Sequence, residues 1–225
     1  MARRKRILDV VLAGFGAMVT APVVAALAVA VKVDTPGPAF FIQARVGRGG
    51  RAFRLAKLRT MVVDAERAGP LVTTSGDPRI TRVGAWLRKT KLDELPQLWN
   101  VLRGDMSIVG PRPEVEKYVA RYRPEWRRLL DVRPGLTDLA SLTFRDEEGL
   151  LATARDRERA YAEVVMPMKL EVALRGLEHT SVLDDLVVIA RTALSVVRPP
   201  DETRDPVLRE ARRRIAALDR TTTNT

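Results

Sequence analysis

The sequence predicts a helix-rich α+β protein: an N-terminal re-entrant membrane helix, then one cytoplasmic globular domain with a small β-hairpin and amphipathic helices. Three observations predict it. A run of 22 uncharged residues lies near the N-terminus, from Val10 to Val31. Two short apolar stretches flank Gly47-Arg48-Gly49-Gly50, the pattern of a hairpin. Most of the remaining chain shows apolar residues at helical spacing, punctuated by Pro and Gly.

The apolar run is bounded by Asp9 and Lys32 and preceded by Arg3, Arg4, Lys5 and Arg6. A spanning helix needs about 20 apolar residues, so its length suffices. Three readings compete. A cleaved secretory signal fits the small residues near Ala26–Ala30 loosely, but the run exceeds the usual apolar region of about 7–15 residues. A simple span is the second. The third is a helix that enters the membrane, breaks and returns to the same face. Two features favour the third. Pro22 deletes a helix hydrogen bond in mid-run, Gly14 and Gly16 loosen the turns before it, and Thr20 could satisfy a freed carbonyl. Both flanks are also basic, with Lys32, Arg45, Arg48, Arg51, Arg54, Lys57 and Arg59 following the run. Lys and Arg concentrate on the cytoplasmic side, and a re-entrant helix keeps both flanks there.

Beyond it, Asp34-Thr35-Pro36-Gly37-Pro38 is a turn. Phe40–Val46 and Phe53–Leu58 read as strands, Val62–Ala68 as a helix and Gly69–Pro78 as a loop. Thr81–Thr90 reads as a short helix. Leu92, Leu95, Trp99 and Leu102 mark the apolar face of the next, and Trp99 reads as core. Pro96 is tolerated only in a first turn, which puts the helix start and N-cap at Asp93. Ser107–Pro113 is a tight loop, Glu114–Val132 an amphipathic stretch broken at Pro124, and Arg133-Pro134-Gly135 a turn. Leu150–Val165, Lys169–Leu177 and Val182–Val197 read as helices, the last capped by Ser181. His179 reads as structural or solvent-facing. Asp205–Arg220 is a basic amphipathic helix or frayed tail. The expected division is residues 1–33 as anchor, 34–200 as cytoplasmic globular domain and 201–225 as basic tail, whose charges touch anionic lipid or are solvated.

Composition narrows the chemistry. No cysteine is present, and His179 is the one histidine, which excludes disulfides, thiol catalysis and multi-His metal sites. Lys and Arg number 39 against 28 Asp and Glu, a net charge of +11 that calls for an anionic partner. Only 5% of residues are aromatic, leaving few platforms for stacking bases. Nucleic acid is therefore not the expected partner.

The informative stretch runs from Asp77 to Pro113. Asp-Glu occurs three times, at Asp93-Glu94, Asp146-Glu147 and Asp201-Glu202, and such a pair ordinarily lies on a solvated face. Asp93 and Glu94 differ in context. They fall at a helix start, where backbone amides favour anions, with Arg88, Lys89, Lys91 and Arg112 close in sequence. Carboxylates among cations suit Mg²⁺ with phosphates. The bland alternative is that Asp93 is an N-cap and nothing more.

These residues resemble the bacterial sugar transferases, the monotopic phosphoglycosyl transferases that start surface glycan assembly. The resemblance covers nearly the whole chain. It includes Gln43-x-Arg45-x-Gly47, Phe53, Lys57-x-Arg59-Thr60-Met61, the long block Leu92–Pro113, Arg133-Pro134-Gly135-Leu136-Thr137 and Asp184-Asp185-Leu186. It implies a re-entrant helix, cytoplasmic catalysis at the bacterial inner membrane, a UDP-sugar donor, a polyprenyl phosphate acceptor and Mg²⁺. By the family motif, Asp93 would be the nucleophile and Glu94, with Asp93, would hold Mg²⁺. Lys57, Arg59, Arg88 and Arg112 would clamp phosphate oxygens. The chain departs from the family in having Ala21-Pro22 at the helix break and in residues 138–148, where Arg145 stands in for a family arginine. With no extra spanning helices, it reads as the minimal catalytic form. The competing function is a basic membrane-associated scaffold without catalysis, which UMP release would exclude.

Overall fold

The computed structural model describes residues 2–65, 67–70, 72–178, 181–197 and 205–223. His179 and Pro199-Pro200 lie outside them. The first element, α1 (Ala2–Asp34), is a single helix with Pro22 inside it. Helical geometry continues through Pro22, so the expected break does not interrupt the element. Proline removes one bond, to the carbonyl of Met18, and both residues lie on the exposed side. Thr20 does not supply the missing donor. Its hydroxyl donates to the carbonyl of Gly16 at 2.7 Å, four residues back, because that is where a helical threonine reaches.

One face of α1 lies on the rest of the protein along its whole length. Ala13 packs with Leu55, Leu98, Val101, Met106 and Ile108, and Val31 packs with Leu58 and Leu87. The opposite face is apolar and open, through Ile7, Val11, Phe15, Met18, Val29 and Val33. Both ends are pinned. Near the start, buried Asp9 accepts from Ser107 Oγ at 2.8 Å and from the Ile108 amide at 2.9 Å. Arg6 donates to the carbonyls of Val101 and Leu102, and Lys5 pairs with Asp185 at 2.5 Å. At the far end, Asp34 accepts from the Val83 amide at 3.0 Å.

Strands β1 (Phe40–Val46) and β2 (Ala52–Leu58) form the expected antiparallel hairpin, Phe40 opposite Leu58. Residues 63–65 and 67 are turn and Ala68 is a bend, so the described part of the expected Val62–Ala68 helix is not helical. Asp64 sits at φ 60°, and a left-handed residue there stops an α-helix from propagating. Next come α2 (Arg82–Thr90), capped by Thr81, and α3 (Gln97–Arg103). The stretch read as a tight loop contains β3 (Ser107–Val109), paired in parallel with β4 (Gly135–Thr137). A three-residue strand leaves no periodic signal, and the pairing depends on contact: a Cβ on Gly135 would meet the Gly110 amide nitrogen at 2.1 Å.

The larger core belongs to the second half of the chain. It gathers Tyr118 of α4 (Glu116–Val119), Ala140 of α5 (Leu139–Thr143) and Leu150 and Leu151 of α6 (Glu147–Ala152). It adds Ala160 of α7 (Arg157–Ala160) and Met166, Met168 and Leu170 of α8 (Met166–Glu178). Helix α9 (Val182–Val197) begins at Ser181, whose hydroxyl accepts from the Asp184 amide as expected of a cap. The last helix, α10 (Pro206–Thr223), is folded onto this core through Leu208, Ala211 and Ile215, while its arginines face out. Trp126 is buried, but Trp86 and Trp99 are half or more exposed. The reading of Trp99 as core is thus corrected. Leu98 and Val101 face α1 instead, which turns Trp99 outward.

Candidate active site

The chain turns sharply between α2 and α3. Lys91 ends α2 in the left-handed conformation, φ 60°, and Leu92–Glu94 form one tight turn. Helix α3 starts at Gln97, with Pro96 at its cap position and no side-chain cap. Asp93 therefore lies four residues before the helix, and it is not the N-cap. Leu92 packs against Val31, Leu58 and Leu87, and this contact drives its neighbour Asp93 inward. Asp93 is 5% exposed, and its Oδ1 has no hydrogen-bond partner among the described residues. Leaving a buried carboxylate oxygen unmet costs on the order of 1–3 kcal/mol or more, so nothing in folding alone accounts for it.

Cations surround it. Lys57 reaches in from β2, Arg88 and Lys91 from the end of α2. Burial raises the Asp93 carboxyl above the usual range, the neighbouring Glu94 charge raises it further, and Lys57, Arg88 and Lys91 oppose both. Glu94 behaves in the opposite way. Arg112 grips it as a fork, Nη1 to Oε2 at 3.1 Å and Nη2 to Oε1 at 2.5 Å, and Lys57 Nζ lies 3.7 Å from Oε1. Burial works to raise the Glu94 carboxyl, but these two cations hold it well below the carboxylate range. One carboxylate is thus fixed as an anion while its neighbour is kept basic, the separation that lets a pair take different roles. Lys57 is pushed down to about 8, chiefly by burial and then by Arg112, against the pull of Glu94.

Arg88 is held from two sides. Nη1 donates to Thr60 Oγ1 at 3.2 Å, and Nε and Nη2 both donate to Glu148 Oε1, at 2.9 and 2.5 Å. The approach of α2 to Thr60 requires Gly84, where a Cβ would sit 2.0 Å from the Thr60 carbonyl oxygen. The structure thus brings together Asp93, Glu94, Lys57, Arg88 and Arg112. Arg59 is placed otherwise: its terminal nitrogens donate to the carbonyls of Thr35 and Pro36 at 2.8 and 2.7 Å, fastening the end of α1. Arg145 donates to Ser195 on α9 at 2.9 Å. Sequence reasoning missed Glu148, and also Thr60 as a ligand of Arg88. No sequence signal marked Glu148, because it stands 60 residues from Arg88 and outside the motifs that carry the resemblance.

Two adjoining carboxylates, one with an oxygen lacking a protein partner, are the hard donors that Mg²⁺ takes. Among the described residues no group of three or more acidic or histidine side chains could hold a metal. A divalent ion here would therefore complete its shell with phosphate and water oxygens.

The family model for bacterial sugar transferases matches residues 1–199. The chain belongs to the bacterial sugar transferase family. One relative, the Caulobacter vibrioides UDP-glucose:undecaprenyl-phosphate glucose-1-phosphate transferase, is 41% identical over 201 residues, covering 86% of this chain and 70% of its own. The Aeromonas hydrophila UDP-N-acetylgalactosamine-undecaprenyl-phosphate N-acetylgalactosaminephosphotransferase is 35% identical over 198 residues, 86% of this chain and 43% of its own. The Escherichia coli UDP-glucose:undecaprenyl-phosphate glucose-1-phosphate transferase is 41% identical over 161 residues, 68% of this chain and 34% of its own. This sugar transferase therefore spans less than half the length of the latter two. Among the described residues one helix, α1, has the length and composition to enter or cross a membrane.

Proposed function

We propose that this family member moves a sugar 1-phosphate from a UDP-sugar to a polyprenyl phosphate, in two steps through Asp93, with the domain on the cytoplasmic face of the bacterial inner membrane. The observation that carries the reading is the buried Asp93 carboxylate with its partnerless oxygen, set among Lys57, Arg88 and Lys91. A scaffold protein has no use for that arrangement, whereas a nucleophile needs an anion not already spent on hydrogen bonds.

In the first step an Asp93 oxygen bonds to the sugar-proximal phosphorus. The phosphoanhydride bond breaks, and UMP leaves with the electron pair. Lys57, Arg88 and Arg112 hold the phosphate oxygens as charge shifts to the leaving group. In the second step an oxygen of the lipid phosphate bonds to the same phosphorus, the aspartyl–phosphorus bond breaks, and Asp93 returns as a carboxylate. Glu94 and Asp93 would hold Mg²⁺, which when bound supplies positive charge to the phosphates. Glu94 also keeps Arg112 and Lys57 in place.

The placement of α1 supports catalysis at a membrane surface. A helix of 33 residues is about 50 Å long, yet Asp9 and Asp34 are bonded to the same domain. A straight span would carry one of these ends to the far side, away from the domain. Resting on the domain with its apolar face open, α1 enters the membrane and stays on one side. A panel of UDP-sugars with polyprenyl phosphate, scored for Mg²⁺-dependent UMP release, tests the function. At least one sugar should release UMP, and silence across the panel would reject the reading.

A further inference from the structure

Each of the three cations assigned to phosphate already holds a carboxylate. Lys57 and Arg112 share Glu94, which belongs to the same motif. Arg88 differs, because its acid comes from outside the motif. Glu148 stands in the first turn of α6, a turn fixed from three directions. Asp146 caps it by accepting from the Gly149 amide at 3.0 Å. The adjoining Glu147 pairs with Lys169 of α8. The Ser75 amide donates to the carbonyl of Glu148 at 3.4 Å. Glu148 is therefore aimed at Arg88 by the fold, unlike a flexible surface glutamate.

The geometry of the contact decides what Glu148 does. Thr60 takes Nη1, a contact made independently of Glu148. Glu148 takes the Nε–Nη2 edge, both nitrogens on one oxygen. That edge is one of the two that a guanidinium can offer to a phosphate as a two-pronged donor, and with Nη1 bonded to Thr60 it is the edge left for a second partner. A diphosphate that binds Arg88 through it must first displace the carboxylate.

We propose that Glu148 is an internal stand-in for substrate phosphate: it occupies the phosphate-facing edge of Arg88 in the empty enzyme and sets the affinity for the donor's diphosphate. The inference rests on Arg88 being a phosphate ligand, but not on the covalent chemistry at Asp93.

The experiment measures binding of inorganic pyrophosphate to the full chain in detergent at fixed Mg²⁺, without turnover. Glu148→Gln keeps the shape and removes the charge. It should bind pyrophosphate about fivefold more tightly, the size expected for releasing a partly exposed ion pair. Glu148→Asp, which keeps the charge but withdraws it by one methylene, should fall between. In an Arg88→Ala background Glu148→Gln should change nothing, since the double-mutant cycle isolates the pair. A residue that merely positioned Arg88 would give weaker binding on removal, and that result overturns the proposal. Equal tightening with and without Arg88 also overturns it, by showing a general charge effect. So does wild-type protein that binds no pyrophosphate. Failure to release UMP from any UDP-sugar, with the pyrophosphate pattern intact, would instead sink the catalytic reading alone.

Discussion

The two walls of the site are built differently. One wall consists of Lys57 on β2 and the turn and helices from Arg88 to Arg112, held by short-range packing of Leu87, Leu92 and Leu98 against α1 and the hairpin. The other is the segment from Asp138 to Glu148, which rests on the large helical core through Ala140, Phe144 and Leu150. The first wall carries the carboxylate pair and all the cations that touch it. The second contributes Glu148, which pairs with Arg88 of the first wall. The difference suggests a division of labour, with bond making and breaking on the first wall and tuning of affinity on the second.

The largest expected effect is at Asp93. Asp93→Asn should lower turnover roughly a thousandfold or more, the scale for loss of a nucleophile, with the melting temperature kept or raised because a buried charge is removed. Near-normal turnover would break the comparison at its centre. Glu94→Gln should cost about a hundredfold and weaken the Mg²⁺ response together with it, since a neutral amide binds a hard cation poorly and also loosens Arg112. Turnover in EDTA equal to that in Mg²⁺ would remove the metal from the account.

The pH profile of kcat/KM sharpens the same wall. Asp93 must be ionised to attack, and its raised value moves the acid limb above that of an ordinary aspartate. Lys57 must be protonated to hold phosphate, so activity should fall as pH rises through about 8. Lys57→Arg should move the alkaline limb upward, whereas an unmoved limb would assign it to another group. On the second wall, Arg145→Ala should lower turnover less than Arg112→Ala does, because Arg145 bonds Ser195 and Arg112 bonds Glu94. The reverse order would make residues 138–148 part of the chemistry.

The first wall was legible because its residues are close in sequence and chemically unusual together. Asp93-Glu94 between Arg88 and Arg112 is a pattern of charge that packing alone does not explain. The hairpin was legible from alternation, and Ser181 from its place before an apolar-periodic run. Other features were invisible for physical reasons. Asp93 reads as a cap because Pro96 favours a first turn, but Asp93 sits inside the tight turn Leu92–Glu94 that follows left-handed Lys91, and α3 starts only at Gln97. Arg59 looked like another phosphate cation, and only the folded chain shows its nitrogens on the Thr35 and Pro36 carbonyls. Trp99 followed the apolar spacing yet faces out, since α1 covers the adjacent face of α3. The β3–β4 pairing joins two three-residue strands far apart in sequence, and Glu148 meets Arg88 across 60 residues. Neither leaves a local trace.

The smallest expected change concerns α1. Its two ends are tied to one domain, so single cysteines at positions 2 and 48 should both label from the cytoplasmic side, which the absence of native cysteine makes simple to read. Labelling of position 2 only from the opposite side would make α1 a span and leave the Asp93 chemistry untouched.

The central claim is that Asp93 carries the phosphosugar. Its most direct test is mass spectrometry of the protein mixed with UDP-sugar and Mg²⁺ but no lipid, quenched rapidly because acyl phosphates hydrolyse. The account predicts one added sugar phosphate, located at Asp93, discharged when polyprenyl phosphate is supplied and missing in Asp93→Asn. A protein that turns over with both substrates yet never gains that mass, and whose kinetics require donor and lipid to be bound together, would contradict it.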